Sequence, residues 1–258
     1  MVSNWEAVKE GLKLMVLLLT RSPAVDRRCD GMSGEVGVGG TVVNETAVNE
    51  TVVGETAVNE TAVGETPQRA QTGENAEDAL ASAIRFVTVL GLNTLHRGII
   101  QHIHDALLAL LDCYYLHATP VAFTRLVAEL VAACFESTLP IIRRSGALPF
   151  ILHSVLTVLH QHASPLLPPL VSQIVCWPDF TPLLPIPTTA QSPEWRVYAD
   201  AFTQSLSHTL SEADRPRHLV HTLNTLTVCL SSPELATHFH PHLLTLLRLS
   251  LRLLDAAE

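Results

Sequence analysis

From Asn75 onward the apolar residues of this chain recur at the three-to-four spacing of a helix face, and proline or glycine interrupts each run within about twenty residues. Helix-start signals are spelled out. Thr119 followed by Pro120 pairs a capping hydroxyl with a proline at the first helical position, where the missing N–H costs nothing. Ser192-Pro193-Glu194 and Ser232-Pro233-Glu234 repeat that signal forty residues apart. A chain patterned this way is expected to be all-α.

The spacing predicts helices over 75–92, with Asn75 as cap, and over 94–117, 120–137, 149–162, 193–211, 216–230 and 241–255. Their inward faces follow from the period. Ile99, Ile103, Ala106, Leu107, Leu110 and Tyr114 line the second helix; Phe123, Leu126, Val127, Leu130 and Cys134 line the third. Ile151, Val155, Leu156 and Leu159 mark the next, then Trp195, Tyr198, Phe202 and Leu206, and Leu219, Leu223 and Leu226. Between them, 140–145 reads as one short turn of helix closed by Gly146.

Residues 164–192 form a connector holding seven of the sixteen prolines. Leu166–Trp177 is compatible with a helix entered through prolines. Phe180–Ile186 is apolar but cannot continue a helix, so it is expected to lie extended on the body or to serve as a docking strip, with Phe180, Leu183 and Leu184 as candidate partner contacts.

The chain before Asn75 is organised differently. Residues 1–20 hold an isolated amphipathic helix whose face is Trp5, Val8, Leu12, Met15 and Leu19. Residues 21–74 read as a disordered low-complexity insert. Within it, 41–65 repeats five times the unit Thr, Val or Ala, Val, Asn or Gly, Glu, a period that fits neither helix nor strand. Three Asn-x-Thr acceptors for glycosylation, at Asn44, Asn49 and Asn59, are copies within that one repeat. Gly34, Gly37, Gly39 and Gly40 belong to the insert and make no phosphate loop, since no Gly-Lys-Ser/Thr follows.

Amphipathic helices of this length, joined by Pro- and Gly-punctuated turns and with a start signal recurring after forty residues, resemble armadillo or HEAT-type helical repeats over residues 75–258. The resemblance rests on period and capping. It implies a short stack of helical hairpins, an armadillo/HEAT-like α-solenoid, with an irregular helical bundle as the alternative. In such a stack each hairpin buries its face on its neighbours, and the last helix needs a polar outer side. Leu243, Leu244, Leu246, Leu247, Leu249, Leu251, Leu253 and Leu254 surround the final helix with little relief beyond Thr245, Arg248 and Arg252. It is expected to be buried on most sides or covered by a partner, through Leu244, Leu247, Arg248, Leu251 and Arg252, or by self-association.

Charge narrows the function. The formal net charge is −9, but from Ala81 onward twelve carboxylates face ten arginines and no lysine, with no basic stripe, which argues against a nucleic-acid partner. No stretch has the length and apolarity of a membrane span. Leu12–Leu19 is apolar but preceded by Glu6 and Glu10 and interrupted by Lys13, unlike a signal peptide, so the cytoplasm or nucleus is the expected compartment. Five scattered cysteines without a C-x-x-C pair suit a reducing environment.

No catalytic residue and no cofactor site is evident. There is no Gly-x-Ser-x-Gly elbow, and Cys113, Cys134, Cys176 and Cys229 fall on apolar stripes or beside Trp177, where a thiol is inert. The weak metal candidates are His238, His240 and His242, whose alternate spacing would place them on one side of an extended turn at Pro241. His218 and His221, at i and i+3, are expected on a solvent face. Arg143 and Arg144 complement the end of their short helix. The expectation is a non-enzymatic protein-binding scaffold or adaptor; the alternatives are a non-catalytic fragment or isoform of a larger α-solenoid and, below it, a histidine-based metal binder.

Overall fold

The computed structural model describes residues 4–20, 68–94, 96–137, 146–179, 192–207 and 215–255. Among them the chain runs through α1 (Asn4–Thr20), α2 (Gln68–Leu92), α3 (Arg97–His117), α4 (Pro120–Phe135), α5 (Leu148–Gln161) and α6 (Leu167–Cys176). A 3-10 turn at Trp177–Asp179 leads to α7 (Pro193–Ser205), α8 (Arg215–Leu230) and α9 (Pro233–Phe239), and a second at His240–His242 to α10 (Leu243–Asp255). No strand occurs among the described residues.

Alternate helices stack. α1, α3, α5 and α8 follow one another in one layer, and α2, α4 and α7 in the other, with α4 packed chiefly against α7. α2 crosses onto α3 and α5, and α6 returns to α5 while its 3-10 turn reaches α8. This is the two-layered stack of helical hairpins that the resemblance implied. α9 rests on α8, α5 and α6, and α10 reaches only α6 and its own 3-10 turn in any extent, so α1 and α10 lie at opposite ends of the packing order.

The caps explain two of the starts. Thr119 Oγ1 accepts from Ala122 N at 3.2 Å, and Ser192 Oγ from Trp195 N at 3.2 Å. Ser232 precedes Pro233 in the same way but makes no side-chain capping bond. α5 ends with Ser164 N donating to Leu159 O at 2.8 Å and Ala163 N to His160 O at 3.0 Å. This is a Schellman closure that puts Ala163 at φ 47°, a left-handed conformation where glycine is the usual residue.

The expected inward faces of α3, α4, α5 and α7 are buried, Leu206 alone standing half-exposed. One junction depends on the absence of a side chain: a Cβ on Gly91 would lie 3.2 Å from Ala147 Cβ, Ile103 Cγ2 and Ile151 Cδ1, so this glycine lets α2 approach α3 and α5.

Three expectations are corrected. α2 begins at Gln68, so Asn75 lies inside the helix and the ordered body starts within the stretch assigned to the insert; Gln68, Arg69, Ala70 and Gln71 are good helix formers and carry it back. α1 is not set apart: Leu12 is buried, Val8, Met15 and Val16 join the core, and the helix lies along α3. Loop-closure entropy grows only logarithmically with length, so a long intervening segment costs little against the apolar area recovered. α8 is turned by about one residue from the expected face: His218, His221, Thr222, Thr225, Leu226 and Cys229 point inward, and Leu219 and Leu223 are half-buried. The pentapeptide repeat 41–65, the short helix at 140–145 and the Phe180–Ile186 segment lie outside the described residues.

Candidate binding surface

Helix α10 carries the largest concentration of misplaced apolar surface. Leu244 is 73% exposed, and Leu243, Leu247 and Leu251 are each more than half exposed. Leu246 alone of the described leucines on this helix packs partly against the core. Leu244, Leu247 and Leu251 are three and four residues apart and therefore share one face, beside the exposed Arg248. The Arg252 side chain, like Phe180, Leu183 and Leu184, lies outside the described residues. A row of leucines left in water at this spacing is the usual signature of a face that packs onto another helix or groove.

The opposite end offers a smaller recess. Between α1 and α3 a cleft of about 440 Å³ is lined by Leu12, Val16, Leu17 and Ala106, with Lys13, His102 and Asp105 among its walls. Leu14, Leu17 and Leu18 of α1 are exposed beside it. Sequence reasoning missed this recess because nothing in the local pattern says that α1 meets α3.

The structure does not bring the three histidines of the run together. His238 is in α9, and His240 and His242 are in a 3-10 turn, so the extended geometry that would align the three is absent. Pro241 enters a tight helical turn instead of breaking into a strand. His238 Nε2 lies 2.9 Å from His160 Nδ1, His242 Nε2 3.1 Å from Ser172 Oγ, and His240 is exposed. Among the described residues no group of three or more His, Cys, Asp or Glu is placed to hold a metal ion.

His218 and His221 are buried, not on a solvent face. Their rings flank Trp177, with centroids 5.4 and 6.2 Å away. Trp177 in turn stacks on Phe135 at 3.9 Å, and Phe202 meets Phe135 edge-on at 5.5 Å. Burial, with Arg217 and His218 nearby, lowers the His221 pKa to about 4, so this ring is neutral. Among the described residues Trp177 Nε1, His221 Nε2 and Thr222 Oγ1 are buried with no hydrogen-bond partner. Elsewhere in the core a buried polar pair is joined by a hydrogen bond: Tyr198 donates its hydroxyl to Gln173 Oε1 at 2.5 Å.

The thiols face apolar surroundings. Cys113, Cys134 and Cys229 are buried and Cys176 partly so, and none of the four is in a disulfide. Burial pushes the Cys134 thiol far up and that of Cys229 to about 12, which suppresses the thiolate a nucleophile needs. Among the described residues no helix is long and apolar enough to cross a membrane.

Fold and surface together define a stack of helical hairpins with an uncovered leucine face at one end. The chain belongs to the family described as THADA/TRM732, DUF2428, whose family model matches residues 1–258. Comparison with curated proteins and with solved structures found no match.

Proposed function

We propose that this member of the THADA/TRM732, DUF2428 family is a non-enzymatic protein-binding scaffold or adaptor that holds another protein, or another copy of itself, through the leucine face of α10. The observation that carries this reading is the exposure of Leu243, Leu244, Leu247 and Leu251 on a helix with little purchase on the rest of the stack. Leaving four leucines in water forgoes roughly 1.5–3 kcal/mol for each that could be fully buried, and a partner recovers it. Arg248 beside the stripe adds a charge that an acidic rim would match. The expected compartment is the cytoplasm or nucleus. The buried thiols agree with a non-catalytic role.

A second reading is favoured by where the face lies. α10 ends the packing order, where the next hairpin of a longer α-solenoid would stack, so the chain would be a non-catalytic portion of a larger helical protein. An uninterrupted downstream reading frame encoding further amphipathic helices would support that reading.

The test is recovery of a stable complex from cells with the tagged full chain and with the Leu247→Arg/Leu251→Arg variant. The proposal expects the complex to be lost while the circular dichroism spectrum is unchanged. A complex recovered equally with both chains would refute it.

A further inference from the structure

Histidine contacts join the helices of this stack, and they differ in what faces them. Just past α5, His162 Nε2 is 2.7 Å from Asp112 Oδ1 of α3, with the Tyr115 ring stacked on it at 3.9 Å. His104 Nε2 of α3 is 3.0 Å from His153 Nδ1 of α5, and Asp105 Oδ1 lies 3.4 Å from the other His104 nitrogen. At the far end, His160 Nδ1 of α5 is 2.9 Å from His238 Nε2 of α9, and His242 Nε2 is 3.1 Å from Ser172 Oγ of α6.

A contact between two imidazole nitrogens requires one to carry a hydrogen and the other a lone pair. Once both rings are protonated, both nitrogens donate and the contact turns repulsive. A histidine beside a carboxylate gains an ion pair from the same titration. The charged and titratable groups around α9 decide which case applies. α5 brings His153 and His160; α6 brings only the Cys176 thiol; α8 brings Arg215, Arg217, His218, His221 and the buried Cys229. α9 itself adds Glu234, the following turn His240 and His242, and α10 Arg248. Glu234 is thus the one carboxylate among these described side chains, and it is exposed on the first turn of α9.

We propose that α9 and the leucine helix after it form an acid-loosened arm: the His160–His238 contact and the His242–Ser172 hydrogen bond fasten it to α5 and α6 near neutral pH, and acidification weakens that docking while the α3–α5 seam stays closed. Burial holds His238 below the usual imidazole value, with His160 adding to the effect, and burial does the same for His242. The freed arm therefore binds protons before the docked one, so docking is complete above the ordinary value of 6.5 and is lost as pH falls below it. His153 is held low by burial and then by His104, but its seam is also closed by the buried stripe of α3 and by the 2.7 Å His162–Asp112 contact. The arm has fewer anchors: Leu235 and Phe239 are its buried apolar residues on α9, and Leu246 is half-buried on α10.

The experiment is hydrogen–deuterium exchange on the full chain at about pH 7.5 and about pH 5.5, either side of the usual imidazole value, with each rate normalised to its intrinsic value. Exchange over 233–255 is expected to accelerate several-fold at the lower pH, with 97–117 and 148–161 holding their protection. In the His238→Gln variant, whose amide stays neutral, the acceleration should be largely abolished. Unchanged protection of 233–255, loosening of the α3–α5 seam together with the arm, or a full wild-type response in His238→Gln overturns the proposal. The readout is exchange and not partner capture, so its failure and that of the scaffold reading are told apart.

Discussion

Helices α5 and α10 are built from nearly the same material and end in opposite situations. α5 spans 14 residues and α10 13, both rich in leucine. α5 buries Leu148, Ile151, Leu152, Val155, Leu156, Val158 and Leu159 because α3 lies on one side of it and α8 on the other. α10 has α6 on one side only and leaves Leu243, Leu244, Leu247 and Leu251 exposed. The apolar residues set what each helix has available to bury; the number of neighbours sets how much it does bury. In a stacked architecture that number falls at the ends, so the end helix is where unspent hydrophobic surface collects.

The comparison would break most visibly at the interior. Trp177→Ala removes the ring that Phe135 stacks on and that His218 and His221 flank, and is expected to cost about 3–5 kcal/mol in chemical denaturation. A loss under about 1 kcal/mol would mean the aromatic nest is not a cooperative part of the fold. Leu156→Ala in α5 is expected to cost about 2–5 kcal/mol, and Leu247→Ala in α10 to stay within about 0.5 kcal/mol in the isolated chain. Equal costs for the two would erase the distinction between interior and end.

Protonation sharpens the same contrast. With its folded pKa lowered to about 4, His221 is neutral in the fold, whereas the unfolded chain takes up a proton near 6.5. The unfolded state therefore binds more protons between those values, and stability should decline as pH falls from about 6.5 towards about 4. His221→Leu should flatten that part of the stability–pH curve, measured by urea midpoints across the range. The smallest effect concerns the caps. Thr119→Ala should lower stability by about 1 kcal/mol, whereas Ser232→Ala, whose hydroxyl caps nothing, should cost no more than a few tenths. Thermal melts of both variants would check the difference.

Much of this was legible in the chain because helix faces and caps are local. The 3.6-residue period placed Ile103, Leu107, Leu130 and Leu159 inside, and Thr119-Pro120 and Ser192-Pro193 marked real starts. The leucine excess of the final helix exceeded what one neighbour could bury, and Leu244, Leu247 and Leu251 stand exposed on it. What could not be read depended on partners distant in sequence. His218 and His221 look the same on a wet or a dry face, and the ring that buries them, Trp177, comes from another helix end. The His160–His238 pair joins residues 78 positions apart, and α1 meets α3 across the whole repeat-bearing stretch, so neither leaves a local trace. The His-x-His-x-His spacing suggested convergence only if the backbone were extended; a 3-10 turn at His240–His242 removed the premise.

The most direct test of an uncovered leucine face at the open end of the stack is light scattering coupled to size-exclusion chromatography on the full chain over a range of concentrations, beside the Leu247→Arg/Leu251→Arg variant. The account predicts concentration-dependent species above the monomer mass for the wild-type chain, and a monomer of unchanged helicity for the variant. A wild-type chain that runs as a monodisperse monomer at every concentration would contradict self-association through this face.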